Sequence, residues 1–591
     1  MLPSSVLSLV ALALAPVVRA GTVTYNWDVT WVWANPDGKF ARPLIGINNQ
    51  WPCPKIEATV GDTVVVNLSN KLGNETSGLH FHGINQINTP DMDGPSGVTQ
   101  CPVPPGSSIT YQFVADAPGT YWCTSTDSDQ VDYLSNETIL TCDGYTDHSH
   151  NMGQYPDGLR GPMIVHDPND PYAGKYDEEV IMTVSDWYYS QTIDLVRKML
   201  TPTNTRFIPP FPDNILVNEG QGANINFVKG KTYRIRLISF AAFGSAMFHF
   251  DSHTMQVIMN DGAYIKQNQA YQLRIAPAQR YDFLISAIDR DHGNYPFLFS
   301  LDINRDFSNA ANGLQWPHNF TGYLVMDPKE NLTKQDVVSK WKPDDDSHWE
   351  PYNGAGPLGP YDKLIKLDFA FCMDANGYPR SCFNNKTYID QKVPALYTAA
   401  TTGQSNTNPD VYGQISPFIV NSGDIVQIVV NNLDAAVHPF HLHGHHFQVL
   451  DRPRSGAGSW SGRDVNYADA PPMRDTVSIN ANSHAVLRYK ADNAGVFLFH
   501  CHIEWHVEMG LTATIIEAPD KLRGMQFPSD HIENCKLMNI PYKGNAAGNT
   551  VNYTDQTGFI TVPPTTYNGA LYNPPSSKRS RIQGSFKGPF N

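Results

Sequence analysis

Charge and long hydrophobic runs are both scarce in this chain. Only 17% of its 591 residues are Asp, Glu, Lys or Arg, which is too few for a coiled coil or a charged disordered protein. Beyond the first twenty residues, no stretch approaches about 18 consecutive apolar residues, so we expect no membrane anchor. The net charge of −15 argues against a nucleic-acid partner, because an acidic surface repels phosphates.

Turn-forming and aromatic residues are plentiful instead. Glycine and proline number 44 each, and 11% of the residues are aromatic. This composition predicts a soluble, turn-rich, mostly β protein. Because one hydrophobic core cannot serve so long a chain, we expect roughly three or four domains.

The first twenty residues predict secretion. Residues 6–15 are apolar and the segment closes with Val18-Arg19-Ala20, which is typical of a signal peptide and its cleavage site. The cysteines would then lie in an oxidising, extracellular compartment, where spacing alone favours only a pair between Cys372 and Cys382. Seven glycosylation sequons agree with secretion: Asn67, Asn74, Asn136, Asn319, Asn331, Asn385 and Asn552.

The residues that organise the chain follow an apolar run at 495–499, which predicts a buried strand. Side chains alternate along a strand, so Cys501 must point away from His500 and His502. One tripeptide can therefore hold a metal on each side, and His506 can return to the thiolate side through a turn. A thiolate with imidazoles suits an electron-transfer copper; a zinc site or an oxidised structural cysteine is the alternative.

The weak axial position of such a copper falls by spacing on Leu511, ten residues after Cys501. Leucine cannot bind a metal, and the loss of an axial ligand should raise the copper potential. Met509 is the rival candidate, but it lies at the wrong offset.

Three more histidine groups accompany this segment. They are His80-Phe81-His82, His148-Ser149-His150 and His438-Pro439-Phe440-His441-Leu442-His443. Two histidines in such spacing can be ordinary core or surface residues. Four groups together suit several coppers, with eight imidazoles for three ions and two imidazoles plus the thiolate for one.

These four motifs are similar to the copper motifs of the multicopper oxidases. The resemblance runs over most of residues 25–520 and implies an all-β fold of three consecutive cupredoxin domains, which are Greek-key β-barrels. The predicted boundaries are a signal peptide at 1–20, domains at 21–169, 170–335 and 336–560, and a tail at 561–591. We expect no copper in the second domain and a loop-rich segment from about residue 519.

The resemblance also implies the ligands of four coppers and their chemistry. Type 1 copper would take His438, Cys501 and His506; type 2 copper would take His80 and His441; the type 3 pair would take His82, His148, His150, His443, His500 and His502. The coppers would pass electrons to O₂, which becomes water. Asp93 and Glu504 match carboxylates that carry protons, although Glu504 could be a simple surface acid. Cys101 and Cys535 match a family disulfide, which leaves Cys53 unpaired.

Residues 123–147 depart from the family pattern. In the family, a Gly-Thr-Tyr-Trp strand, here 119–122, is followed by one tyrosine and then His-Ser-His. Here 25 polar residues replace that tyrosine. A surface loop closed by a Cys123–Cys142 bridge is one explanation. We favour a retained intron in the gene model, because codons for the bordering residues can supply splice sites that restore a single tyrosine codon.

The substrate is predicted from the residues beside type 1 copper. The chain looks closest to the fungal branch that includes iron-uptake ferroxidases, which bind Fe²⁺ through three acids. Asp434 matches one acid and Asp302 loosely a second, but Thr205-Arg206-Phe207-Ile208 stands where the third, a glutamate, is expected. A cation there would repel Fe²⁺, and we expect none of the membrane anchors of those ferroxidases.

We therefore favour a secreted laccase-like enzyme that oxidises a small phenol or naphthol, such as an aromatic polyketide pigment precursor. Asp434 could accept the phenolic proton, or it could be an ordinary exposed loop acid. A ferroxidase with an iron-permease partner is the alternative enzyme. A copper-binding protein without turnover is a third possibility.

Overall fold

The computed structural model describes residues 20–124, 153–288, 293–302, 318–332, 338, 340–463, 467–563 and 572. His148, His150 and most of the insertion lie outside the described residues, as do residues 1–19. Within the described part, β-strands dominate and helices are few. Among the same residues, no helix combines the length and the hydropathy needed to cross a membrane.

The first domain consists of two four-stranded sheets, ordered β2-β1-β4-β6 and β3-β8-β7-β5. Strand β4 shows why the segment folds this way: Val64, Val66 and Leu68 are fully buried on one face, while the residues between them are half-buried. The strands are β1 Thr22–Ala34, β2 Arg42–Ile47, β3 Ile56–Thr59, β4 Thr63–Asn70, β5 His80–His82, β6 Ser108–Val114, β7 Gly119–Thr124 and β8 Arg160–His166.

The second domain has a six-stranded and a five-stranded sheet, ordered β10-β9-β12-β17-β14-β15 and β11-β19-β18-β13-β16. Its strands are β9 Glu178–Trp187, β10 Asn214–Val217, β11 Asn224–Asn226, β12 Thr232–Ser239, β13 Ala246–Phe250, β14 Met255–Asn260, β15 Ala263–Ala270, β16 Leu273–Ile275, β17 Arg280–Ser286, β18 Tyr295–Leu301 and β19 Asn319–Val325. Phenylalanines from β13 and β18 stack in its core, with Phe248 and Phe299 at 5.2 Å between ring centres.

The third domain repeats this design with sheets ordered β21-β20-β23-β28-β25-β26 and β22-β30-β29-β24-β27. Its strands are β20 Lys363–Met373, β21 Pro379–Phe383, β22 Pro417–Val420, β23 Ile425–Asn432, β24 His438–Leu442, β25 Phe447–Asp451, β26 Met473–Arg474, β27 Thr476–Ile479, β28 Ser483–Lys490, β29 Gly495–Cys501 and β30 Thr512–Glu517.

The repeated strand order puts the histidine motifs at equivalent places. Strands β5, β13 and β24 occupy one position in their sheets, and β7, β18 and β29 occupy the position beside it. In the first and third domains the former carry His-x-His, whereas β13 reads Ala-Met-Phe-His-Phe. The all-β prediction of three cupredoxin domains is confirmed, and the exact boundaries stay predictions.

Five α-helices lie among the described residues: α1 Thr192–Met199, α2 Ala395–Thr401, α3 Glu504–Glu508, α4 Pro519–Leu522 and α5 Ser529–Leu537. The described part of the segment after residue 519 is loop-rich, as expected, apart from the two short helices α4 and α5. Helix α5 is fixed to the first domain, because Asp530 accepts a hydrogen bond of 2.8 Å from the amide of Thr110. Sequence periodicity gave no sign of this contact.

Two disulfides match the predictions. Cys101 is bonded to Cys535 across a sequence separation of 434 residues, which ties the first domain to α5. Cys372 is bonded to Cys382 between β20 and β21. Cys53, as expected, forms no disulfide, and neither Cys123 nor Cys501 forms one with a described residue; all three are buried, and Cys142 lies outside the described residues.

Candidate metal centre

The thiolate site lies inside the third domain and consists of Cys501, His438 and His506. The Cys501 Sγ atom is 3.9 Å from His438 Nδ1 and 3.7 Å from His506 Nδ1. The two Nδ1 atoms are 3.1 Å apart. All three side chains are fully buried, and burial keeps the pKa of His506 well below its usual value. Two buried imidazoles facing a thiol fit one soft metal ion.

Local structure explains how these atoms meet. Strand β29 ends at Cys501, and the single turn of α3 brings His506 back to the thiol side. The amide of Ile503 donates to Cys501 Sγ at 3.4 Å. Both axial candidates, Leu511 and Met509, are fully buried, so the choice of Leu511 stays a prediction.

The histidine cluster lies where β5 of the first domain meets β24 and β29 of the third. Its members, each at least 96% buried, are His80, His82, His441, His443, His500 and His502. His82 stacks on His441 with 3.8 Å between ring centres, and His80 on His443 with 4.1 Å. The Nε2 atoms of His443 and His500 are 3.0 Å apart. Segments distant in the sequence therefore converge on one volume.

The donor atoms of this cluster fit a bound metal. His80 Nε2, His441 Nε2 and His82 Nδ1 are buried and lack any hydrogen-bond partner among the described residues. An unpartnered buried nitrogen is costly, and ligand atoms of these three histidines lie within 4.8 Å of one another. Imidazole is a preferred copper ligand. His148 and His150 lie outside the described residues, so their place in the cluster stays a prediction.

Asp93 orients two of the cluster imidazoles. Its Oδ2 is 2.8 Å from His443 Nδ1, and its Oδ1 is 3.2 Å from His80 Nδ1. Burial alone would raise the pKa of Asp93, but the two histidines hold it below its usual range. The turn depends on Gly94, whose φ is +99° and whose added Cβ would lie 1.7 Å from the Leu79 carbonyl oxygen.

Glu504 lies between the two sites and is only 1% exposed, so it is not a surface acid. Burial raises its pKa to about 8, with Tyr155 as its polar neighbour. Tyr155 also lies edge-on to His502, with 6.2 Å between ring centres. Glu504 is therefore a buried carboxyl next to Tyr155, and its role in proton transfer stays a prediction.

The second domain braces both sites, which the sequence did not predict. Asp475, next to the cluster, has its Oδ1 3.5 Å from His82 Nε2 and 3.6 Å from His441 Nδ1. Arg280 of the second domain holds both carboxylate oxygens of Asp475, with Nη1 at 2.8 Å and Nη2 at 2.5 Å. Such bidentate pairs are rigid. No motif spacing marks either residue, because the contact exists only in the folded chain.

Further hydrogen bonds from the second domain hold the segment that links the two sites. Asp186 accepts hydrogen bonds from the amides of residues 242–244 at 2.7–2.9 Å. The carbonyl of Ala242 in turn accepts from the amide of Glu504 at 2.8 Å. The Trp505 Nε1–H donates to the Tyr188 hydroxyl at 3.2 Å. The second domain thus positions the turn that carries His502 and His506.

Asp434 connects the thiolate site to the surface. Its Oδ2 is 3.1 Å from His438 Nε2, and its side chain is 24% exposed. Burial would raise the pKa of Asp434, but the hydrogen bond to His438 outweighs it and lowers the pKa to about 2. Asp434 is therefore an ionised acid attached to the site rather than an ordinary loop acid.

The segment around Arg206 covers the same entrance. Phe207, at a φ of 54°, stacks on Phe371 with 5.1 Å between ring centres. Phe371 lies edge-on to His506 at 5.3 Å. Arg206 is exposed and forms no ion pair within the described residues. Asp302 is not free to bind a cation alone, because its Oδ2 lies 3.2 Å from Arg274 Nε.

Comparison with known proteins agrees with this architecture. Family profiles described as "Multicopper oxidase" match residues 28–135, 178–316 and 388–521. An iron transport multicopper oxidase, fetC, of Epichloe festucae is 43% identical over 553 residues, which cover 93% of this chain and 85% of the relative.

Two solved structures are also similar. The multicopper oxidase Fet3p, described as functioning in iron import, is 34% identical with a TM-score of 0.82, and the match covers 90% of this chain and 98% of that one. A laccase from Botrytis aclada is 26% identical with a TM-score of 0.73, over 88% and 92% of the two chains.

These relatives overturn the prediction of a laccase-like phenol oxidase acting in pigment synthesis. The relatives with high identity are named iron transport oxidases, and the laccase is less similar in both sequence and structure. Arg206 and the expected lack of a membrane anchor favoured a phenol, but they do not outweigh 43% identity over 93% of the chain. From its sequence, its fold and its clustered histidines, this chain belongs to the multicopper oxidase family, copper enzymes that use oxygen.

Proposed function

We propose that this protein is a ferroxidase that oxidises Fe²⁺ and reduces O₂ to water in the service of iron transport. The observation that carries the proposal is the 43% identity to an iron transport multicopper oxidase over 93% of the chain. The geometry supports it, because an ionised, partly exposed acid is attached to the thiolate site.

Asp434 is the iron-binding group in this proposal. Fe²⁺ accepts carboxylate oxygen ligands, and Asp434 keeps its charge at any physiological pH, with a pKa of about 2. Its hydrogen bond to His438 Nε2 gives a short route from the iron to the thiolate site, because His438 Nδ1 faces Cys501. Arg206 weakens the attraction for Fe²⁺ but does not remove this route.

Bound copper supplies one-electron redox chemistry at the thiolate site and the reduction of O₂ at the histidine cluster. His438, Cys501 and His506 would hold one ion. His80 and His441 would hold a second, and His82, His148, His150, His443, His500 and His502 would hold a pair, which gives four coppers in the proposal. The chain's part is to keep these side chains fixed and dry, as their burial indicates.

Asp93 and Glu504 are the proposed proton carriers. Asp93 reaches the cluster directly through His443 and His80. Glu504 lies two residues beyond His502, and its Oε1 has no hydrogen-bond partner among the described residues. Asp93 therefore places its carboxyl oxygens beside two imidazoles, whereas Glu504 is next to Tyr155, which in turn contacts His502.

Secretion belongs to the same proposal. The disulfides Cys101–Cys535 and Cys372–Cys382 fit an oxidising compartment. An iron-permease partner stays a prediction of the ferroxidase hypothesis.

Oxygen consumption by purified, copper-loaded protein made from the spliced transcript, in which one tyrosine replaces residues 123–147, tests the proposal. We expect Fe²⁺ to be oxidised with a higher kcat/KM than any phenol tested, at four Fe²⁺ for each O₂. Asp434→Asn should lower kcat/KM for Fe²⁺ more than for a phenol. A protein that oxidises phenols rapidly and leaves Fe²⁺ unchanged would contradict the proposal.

A further inference from the structure

A cavity of about 570 Å³ opens between the second and third domains. Six of its lining residues carry the argument: Arg274, Lys342, Arg452, Arg454, Ser478 and Asn480. Its volume suits a small organic molecule.

The cavity lies beside the iron-binding group. Val437, which precedes His438 in the chain, forms part of its wall. The carbonyl of the lining residue Asn480 accepts from Asn432 Nδ2 at 3.0 Å, and Asn432 Oδ1 accepts from the amide of Asp434 at 3.0 Å. Two hydrogen bonds thus connect the cavity wall to Asp434.

Three acids also line the cavity, but each has its own partners. Asp346 is bonded to Arg452, Arg474 and the Tyr281 hydroxyl. Asp345 accepts from Arg452 at 2.9 Å. Asp344 Oδ2 accepts from the amides of residues 271 and 272. Asp346 and Asp345 are therefore paired with arginines, and Asp344 is bonded to backbone amides.

Two cations in the cavity wall, in contrast, have no ion-pair partner among the described residues. Neither Lys342 nor Arg454 forms an ion pair within the described residues, and both are exposed at the cavity. Arg452, in contrast, is paired with Asp345 and Asp346, and only its buried Nε lacks a hydrogen-bond partner there. Unpaired guanidinium and ammonium groups on one wall attract an oxyanion.

The cavity wall also contains one hydroxyl group, that of Ser478. Ser478 is 7% exposed, and its Oγ is buried without a hydrogen-bond partner among the described residues. An unsatisfied buried hydroxyl is costly, so a ligand that bonds to it gains affinity. The wall therefore offers cations for carboxylates and one hydroxyl for a polar group.

We infer that this cavity binds a small hydroxy-polycarboxylate that takes up the ferric product. The choice of ligand rests on the proposed function. Fe²⁺ gives one electron to the thiolate site, and the resulting Fe³⁺ exchanges water for carboxylate oxygens, with no further oxidant. A hard ferric ion prefers such oxygen ligands, and the ligand carries it from Asp434.

Calorimetric titration of the iron-free, copper-loaded protein tests the inference, with citrate as the probe. We expect one citrate per chain. Tricarballylate, which lacks only the hydroxyl of citrate, should bind about tenfold more weakly, because Ser478 stays unpaired. Inorganic phosphate should bind more weakly than either. Equal affinity for phosphate and citrate would overturn the ligand class, and absence of citrate binding would overturn the site.

Single-residue variants test whether citrate binds in this cavity. Arg454→Ala should weaken citrate by about tenfold, and Ser478→Ala should abolish the preference for citrate over tricarballylate. Arg523→Ala, an exposed arginine away from this wall, is the control. Arg454→Ala should also need about tenfold more citrate to reach the same rate of ferric citrate formation. If Arg454→Ala behaves like Arg523→Ala, the inference is wrong.

Failure of the inference differs from failure of the proposed function. Fe²⁺ oxidation in citrate-free buffer tests only the ferroxidase, and citrate titration without iron tests only the cavity.

Discussion

The thiolate site and the histidine cluster differ in how the chain builds them. The ligands of the first come from β24, β29 and α3, all within the third domain. The cluster joins β5 of the first domain to the same two strands. The thiolate site therefore takes all its ligands from one domain, whereas the cluster forms only where two domains meet in register.

The register of the paired strands also differs between the third domain and the first. In the third domain His441 pairs with His500 between β24 and β29. In the first domain the equivalent pair is His80 with Thr124 between β5 and β7. If a single tyrosine replaced residues 123–147, His148 would take the position of Thr124, and His148-Ser149-His150 would match His500-Cys501-His502.

The largest effect should come from replacing residues 123–147 with a single tyrosine. We expect the shortened chain to bind a full copper complement and to reduce O₂, and the chain with all 25 residues to lack oxygen reduction. Copper analysis and oxygen uptake of both proteins measure this. Transcript sequencing across Trp122 and His148 gives the independent check: reads that keep the segment, with equal oxygen uptake, would refute the retained-intron hypothesis.

Removing the thiolate separates the two sites. Cys501→Ser should lose one copper, the intense charge-transfer colour and Fe²⁺ oxidation, while the cluster keeps its copper, because Cys501 points to the opposite face. Copper analysis and electron paramagnetic resonance measure the outcome. The matched variant His80→Gln should keep the colour and lose oxygen reduction. Loss of every copper in both variants would show that the sites are not independent.

The entrance to the thiolate site should respond to charge, unlike the buried cluster. Asp434→Asn should raise KM for Fe²⁺ by about tenfold, because a charge-assisted ligand is lost. Arg206→Glu should lower it by about fivefold, since a repelling charge becomes an attractive one. Both are measured at fixed ionic strength, with Arg523→Glu as the control. An unchanged KM for both would place iron elsewhere.

The smallest expected effect is the difference between the two disulfides in the stability that is lost when each is removed. Loss of Cys101–Cys535 should cost about 2–5 kcal/mol of stability and release copper from the cluster first, because it ties α5 to the first domain. Loss of Cys372–Cys382, which spans 10 residues inside the third domain, should cost less. Thermal unfolding of the two Cys→Ser double variants measures this, and equal melting temperatures would argue against it.

Much of the site could be predicted because its signals are local. Alternation along residues 495–502 placed Cys501 and the flanking histidines on opposite faces, and the structure brings His500 to His443 and Cys501 to His506. Disulfide partners followed from spacing in one case and from resemblance in the other.

The rest depends on contacts that only folding creates. Asp475 and Asp186 carry no motif, and their partners lie 195 and 56 residues away. Helix α5 has a polar sequence and is held by long-range hydrogen bonds and a disulfide. The substrate was predicted wrongly because Arg206 and the expected lack of a membrane anchor were given more weight than the resemblance to the ferroxidase branch.

The hydrogen bonds from the second domain to the two sites have a consequence for engineering. Arg280 holds Asp475 beside the cluster, and Asp186 holds residues 242–244, where the carbonyl of Ala242 accepts from the amide of Glu504. A chimaera that receives this domain from another oxidase should therefore tolerate a new surface and core, provided that an arginine and an aspartate are kept at these two positions.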